Sequence, residues 1–477
     1  MDVEVLSFLP LLGFVALSVI AWVVTWQCID QRFRLPLVLY GGTYGLTTVI
    51  GSTLLGLFGA PLIDSLEYGL DCSILNDFNS LTYWSILFGP MILVPLGSLY
   101  CSKFFVQHPA LHGPPSSSGG DSPVNTRQVS VVALGFLYTA FAFYPFLTLL
   151  QSGCLDIDTF MAFQGDFSGH ILMRTNLIDS HSASFFGIIY TLLPTLSFCA
   201  LFQWVHRPTV AWRCTFVACC VFTTILNLGT LQKHKALFFL LMLTLGMVEL
   251  KMVRWKTFLA VALSLFFLLT AMQIWILTAA NWSSIETISL LVFRMSTCYP
   301  YYINIYPAWQ PYIGLDLGLN AVGLGEAPKD NLVVFNFMYP DLIYVQGAAT
   351  GAAHVRAYAQ GGVIFALLTT AVIPLFVTVA ANLRKNLRSP LCFAFYMQML
   401  VALYNLANTS LVDTFTSGYG LIWAIIGLSP VWLLSSYLNP TKPHSDPEHR
   451  ELIGGPTTQS AIHDARSIPK HSSKFLP

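Results

Sequence analysis

The stretch GAAHVRAYAQGGVIFALL, residues 347–364, passes from small residues through His354, Arg356 and Tyr358, crosses a glycine pair and enters an apolar run that continues to residue 382. A run of that length crosses a bilayer, because about 20 helical residues span the hydrocarbon core while satisfying their own backbone polar groups. Worked outward from there, the same criterion marks further runs near 5–26, 35–57, 81–101, 128–150, 183–205, 214–231, 236–250, 257–278, 391–411 and 416–436. The run at 236–250 is short and pairs with the one before it as a tight hairpin. Composition agrees: 55% of the 477 residues are hydrophobic and only 10% charged, with a mean hydropathy of +0.65. This is the profile of an all-α polytopic membrane protein with about 11 transmembrane helices. The N-terminal MDVEV is acidic and precedes a run of spanning length, which is not the pattern of a cleavable signal.

Formal net charge is zero, so overall charge points to no nucleic acid partner, and the distribution of charge carries the information. Of the 23 Lys and Arg residues, 17 fall in the C-terminal tail or the loops after the first, third, fifth, seventh and ninth runs, among them Arg32, Arg34, Lys103, Lys251, Arg384 and Lys385. The positive-inside rule makes that side cytoplasmic, with the N-terminus outside and the C-terminus inside. Acidic residues such as Asp64, Asp71, Asp156, Asp330, Asp341 and Asp413 collect on the other side. Six cations break the pattern there: Arg174, Lys233, Lys235, Arg294, Lys329 and Arg356. Cations on the translocated side oppose the insertion bias, and an anion held at the outer surface would account for them.

One polytopic domain covers 1–438. Residues 112–124, HGPPSSSGGDSPV, read as a flexible cytoplasmic linker, and 439–477 as a disordered cytoplasmic tail. The extracytoplasmic loop 279–360 is far longer than an ordinary connection, and its aromatic, sparsely charged composition suits a segment folded against the membrane. Cys72 and Cys154 fall in outer loops, where a disulfide between them is allowed. No cysteine or histidine spacing resembles a metal site, so neither a metal nor a cofactor is expected.

Three constellations could carry chemistry. In LNLGTLQKHKALFFLL, residues 226–241, Lys233 and Lys235 lie between two apolar runs, where they can clamp a diphosphate beside the free N–H groups of a helix start, or simply snorkel to water. In LLVFRMSTCYPYYINIYP, residues 290–307, Arg294 can fork onto a phosphate, and Tyr301 and Tyr302 can stack on sugars or serve as an interfacial belt. In the opening stretch His354 and Tyr358 share one helix face, His354 can act as a base near neutral pH, Arg356 can hold an anion, and Gly361–Gly362 admits a close neighbour.

In order, these pieces resemble the Wzy-type O-antigen and oligosaccharide repeat-unit polymerases, relatives of the O-antigen ligases. The likeness rests on Gly229, Thr230, Lys233 and Lys235; on Arg294 followed by Tyr301, Tyr302 and Pro307; and on Ala352, Ala353 and His354 ahead of Gly361 and Gly362. It covers roughly residues 180–385. It departs from the family at Val355, where the ligase pattern has Asn, and at Gln360, where many polymerases have an acidic residue. The resemblance implies polymerisation of repeat units carried on a polyprenyl diphosphate at the outer face of the inner membrane, without a cofactor, with a flippase and a chain-length regulator as partners. It implies catalytic roles for His354, Arg356 and Arg294, and diphosphate or glycan binding by Lys233, Lys235, Arg174, Tyr301, Tyr302 and Tyr358. The basic residues would then line one outward-opening cavity.

Other classes remain open. A ligase shares the donor and differs only in the acceptor. A transporter would need ionisable residues in mid-span, but the runs carry Glu249 and Asp413 only at their ends, and Asn227, Gln398 and Asn405 are merely polar. A polyprenyl-phosphate-sugar transferase would use an outer-loop acid, for which LDID at 155–158 offers an Asp-x-Asp, and would depend on a metal.

Overall fold

The computed structural model describes residues 2–58, 75, 80–107, 129–156, 173, 176–177, 183–278, 296–314, 330–340, 348–387, 389–417 and 420–438. Arg174, Arg294, the 112–124 stretch, the tail and Cys72 lie outside them, as does the side chain of Lys233. The described residues form helices and no strand. In chain order these are α1 (Asp2–Cys28), α2 (Gln31–Tyr44, running on through Gly45–Val49 and Ile50–Phe58), α3 (Leu81–Gln107), α4 (Val131–Gln151), α5 (Ala183–Gly187, running on through Ile188–Leu192 and Leu193–His206), α6 (Val210–Gly229), α7 (Lys233–Glu249) and α8 (Trp255–Thr278). Then follow α9 (296–305), α10 (Asp330–Met338), α11 (Ala353–Lys385), α12 (Pro390–Leu406), α13 (Leu411–Thr416) and α14 (Leu421–Leu438).

Each apolar run read from the sequence coincides with a helix. Eight helices among the described residues are long and apolar enough to cross a membrane; α12 is a shorter apolar helix. Their burial separates centre from rim. The spanning window of α5 is 94% buried, whereas that of α8 is 0% buried and turns Leu259, Phe266 and Phe267 outward. Exposed large apolar side chains on α1, α4 and α6 complete an outer surface suited to lipid.

α11 packs against α3, α2 and α12, while α5 packs against α6, α12, α14 and α4. Small residues set these distances: a Cβ on Gly97 of α3 would come within 2.7 Å of the Pro374 ring on α11. At one end of the bundle Arg384 donates to both carboxylate oxygens of Glu249 at 2.7 and 2.9 Å and to the carbonyl of Gln31 at 3.2 Å. That contact gathers the loops after the first, seventh and ninth runs at a single end.

Three departures from regular α-helix position the site. α2 and α5 each carry a π-helical turn, Gly45–Val49 and Ile188–Leu192, and such turns displace carbonyls from the regular ladder. The third is a break in α11. Gly361 (φ −161°, ψ 29°) and Gly362 (φ 70°, ψ −159°) leave the helical region and split it into a half-helix 353–360 and a long helix 363–385. The sequence anticipates close approach at this pair; the structure uses it as a break. Two carbonyls of the half-helix are recovered, because Ile313 N–H donates to Ala359 O and Gly314 N–H to Gln360 O, both at 3.0 Å. A Cβ on Gly362 would meet the Tyr312 hydroxyl at 2.9 Å, and its φ lies where L-residues are strained. Gly362→Ala should therefore lower stability by about 1–3 kcal/mol, read as a drop in the thermal unfolding midpoint of the purified protein.

Cys154 is a free, buried thiol and not half of a disulfide. The turn after α4 directs it inward, with its N–H donating to Leu149 O at 3.0 Å and Gly153 at φ 71°. Burial pushes the thiol's pKa up.

Candidate functional site

The half-helix 353–360 is the hub of the first cluster. All eight of its residues are buried, His354 to 1% exposure and Arg356 to 7%. His354 Nε2 lies 3.0 Å from the hydroxyl of Tyr44, the last residue before the π turn of α2, and their rings meet edge to face at 5.0 Å. The Tyr44 hydroxyl also donates to Leu87 O on α3 at 2.8 Å. Nδ1 of His354 is buried without a hydrogen-bond partner. Tyr358, one turn further along the same face, donates to Tyr306 O at 3.0 Å, and its ring meets that of Tyr312 edge to face at 6.0 Å.

Arg356 is held by acids. Its Nε and Nη2 donate to the two carboxylate oxygens of Asp330 at 2.7 and 2.6 Å, and its Nη1 pairs with Asp413 and reaches Thr409 Oγ1 at 3.5 Å. Asp330 is fully buried, and Asp413 keeps a third of its side chain exposed. The paired fork geometry is the arrangement in which arginine binds a carboxylate most strongly. The guanidinium thereby ties α10 and α13 to the half-helix, and an anionic ligand could engage it only by displacing a carboxylate.

Tyr301 and Tyr302 have no exposed surface. The Tyr302 hydroxyl has two acceptors for its one proton, Ala349 O at 3.3 Å and Asp330 Oδ2 at 3.5 Å, and burial together with the Asp330 charge raises its pKa well above the ordinary phenol value. Both rings belong to the core, so neither presents a face on which a sugar could stack. α9 is latched to the π turn of α2: Ser296 donates to Thr47 O at 2.9 Å, Ser52 donates to Ser296 O at 3.2 Å, and the Tyr299 hydroxyl donates to Tyr83 O. The turn thus receives one donor, the Ser296 hydroxyl, from α9, while Tyr299 ties α9 to α3.

Lys235 occupies a second place. It lines a small cavity between α5, α6, α7 and α12, with its Nζ 5.6 Å from the centre of the Tyr190 ring. Asn227, Gln398 and Asn405 supply amides to the same cavity, and Phe198, Phe239 and Met242 form its apolar side. The π turn of α5 builds the polar wall. Gln398 Nε2 donates to Thr191 O at 3.2 Å and Asn227 Nδ2 to Ile189 O at 3.5 Å. A short link joins α6 to α7, and in it Leu231 takes φ 60°, a strained value for a branched side chain. A tight hairpin was expected at this link, and the structure has one.

Arg356 is not among the cavity's lining residues. The expectation that Arg356 shares one cavity with Lys235 is thus corrected, since Arg356 is engaged by Asp330 and Asp413 instead; Arg294 and the side chain of Lys233 lie outside the described residues. The two places still touch through the end of α12, because Thr409 N–H donates to Asn405 O at 2.7 Å while Thr409 Oγ1 bonds to Asp413 at 3.1 Å. The sequence reading named the three amides but set them aside as merely polar, although polar side chains inside apolar helices were the available signal. It passed over Tyr44, which nothing local distinguishes from a packing tyrosine. Among the described residues, no group of three or more His, Cys, Asp or Glu side chains could hold a metal ion.

No protein-family model matches the chain, and no curated protein or solved structure does either.

Proposed function

We propose that the chain is a membrane glycosyltransferase that polymerises polyprenyl-diphosphate-linked oligosaccharide repeat units at the outer face of the inner membrane. In this reading it crosses the bilayer eleven times, with the N-terminus outside. The observation that carries the proposal is the amphipathic cavity at Lys235. A cation and three amides share it with aromatic and aliphatic side chains, which suits a donor made of a charged diphosphate on an isoprenoid tail. Lys235 stabilises the charge that develops on the leaving diphosphate.

The acceptor hydroxyl oxygen attacks the anomeric carbon, the carbon–oxygen bond to the diphosphate breaks, and its electron pair leaves with the lipid diphosphate. The hydroxyl proton passes to His354. At 1% exposure His354 meets an acceptor only when the half-helix shifts, and the Gly361–Gly362 break is where it pivots. Arg356 acts through Asp330 and Asp413 by holding that half-helix in place.

The broken helix and the buried charges beside it also favour a second reading, a transporter, since discontinuous helices build many transport sites. The test is glycan laddering in a strain lacking the gene, complemented with wild type or His354→Ala at matched expression. Polymerase action requires single capped repeat units in the null strain, long chains with wild type, and none with His354→Ala. Normal ladders in the null strain that fail to be attached or exported would instead point to a ligase or a transporter.

A further inference from the structure

We infer that Tyr44 is a positioning residue that fixes the tautomer of His354, leaving Nδ1 as the atom that accepts a proton. The inference rests on the glycosyl-transfer reading only for the identity of the proton donor; the tautomer itself follows from two contacts. Tyr44 has one phenolic proton and two neighbours, Leu87 O at 2.8 Å and His354 Nε2 at 3.0 Å. A carbonyl oxygen can only accept, so the phenolic proton goes to Leu87. The second contact is then a hydrogen bond only if Nε2 carries a proton and donates it to the phenol oxygen. With Nε2–H committed, the neutral ring holds its lone pair at Nδ1, which is buried and has no partner. A buried acceptor without a donor is costly, so a donor brought to Nδ1 would be bound favourably there.

The placement of Tyr44 matters as much as its hydroxyl. It is fully buried at the end of regular α-helix in α2, directly before the π turn. Its neighbour Tyr40 stacks on it at 6.0 Å, and the edge-to-face contact with the imidazole leaves the His354 ring little freedom to flip. A ring flip would exchange the two nitrogens and break the bond to Tyr44. Three helices, α2, α3 and α11, therefore set the orientation of one imidazole.

Nitrogen NMR on the full chain in lipid nanodiscs, labelled at histidine and assigned by the signal lost in His354→Gln, reads the tautomer directly. The wild type should show a bare, pyridine-like Nδ1 and a protonated Nε2. Tyr44→Phe should mix the two tautomers and lower kcat on the order of 10-fold with KM little changed, a part of the 10²–10⁴ that a positioned base contributes. His354→Gln is the second variant. Its amide can still donate to Tyr44 in place of Nε2–H but offers nothing at Nδ1, so it should fold normally and be inactive. A proton on Nδ1 in the wild type, an unchanged nitrogen pattern in Tyr44→Phe, or an active His354→Gln would each overturn the inference. If the wild type shows the expected pattern but forms no glycan polymer, the tautomer assignment stands and the glycosyl-transfer reading is the one that fails.

Discussion

Arg356→Ala is expected to destabilise the protein by about 3–5 kcal/mol, the cost of leaving one member of a buried ion pair behind. Asp330 has no exposed surface and receives two N–H donors from that guanidinium, so its removal strands a carboxylate in the core. Asp413→Asn should cost about 1 kcal/mol or less, because Asp413 remains a third exposed and water can take over its interaction. Arg356→Leu combined with Asp330→Leu should recover most of the loss, since no buried charge is then left alone. Chemical denaturation of the purified variants measures all three. An Arg356→Ala protein as stable as wild type would mean that the ion pair does not form.

Lys235→Ala is expected to slow glycosyl transfer by about 10²–10³-fold while leaving the unfolding midpoint near that of wild type. The side chain is only partly buried, and its ammonium lies 5.6 Å from the centre of the Tyr190 ring. Lys235→Arg should keep part of the activity, since a guanidinium can also pair with a diphosphate, though its bulk fits a small cavity less well. Single-turnover transfer from a synthetic lipid-linked donor separates the two variants. Full activity in Lys235→Ala would place stabilisation of the leaving group elsewhere.

How much of this was legible in the sequence differs between fold and site. The helices were, because the cost of unsatisfied backbone in lipid ties a spanning segment to a continuous apolar run, and each run from 5–26 to 416–436 became a helix. Arg356 was legible as an anomaly, a cation where few are found. Its solution was not, because Asp330 and Asp413 lie 26 and 57 residues away and only tertiary packing brings them to it. The π turns were hidden as well. Neither GLTTV at 45–49 nor IIYTL at 188–192 carries a residue that demands an extra backbone step, yet the first accepts the Ser296 hydroxyl of α9 and the second accepts the Gln398 and Asn227 amides of the Lys235 cavity. Tyr301 and Tyr302 misled in the opposite direction: their composition suits sugar binding, and their burial makes them core.

The contrast between α5 and α8 bears on how the chain is assembled. Their spanning windows have nearly the same mean hydropathy, 1.9 and 1.8, although one is almost wholly enclosed and the other, among the described residues, packs chiefly against α7 and is otherwise exposed. The insertion machinery, which senses apolarity, therefore has no means of telling them apart. α5 must enter the bilayer with acyl chains as temporary neighbours and exchange them for α6, α12 and α14 as those helices arrive, the last two after most of the chain has been synthesised. Inheritance should record that history. Leu, Ile, Val and Phe should replace one another freely along α8, whereas the same exchanges in α5 would be filtered by shape, since the lipid that would have forgiven them is gone.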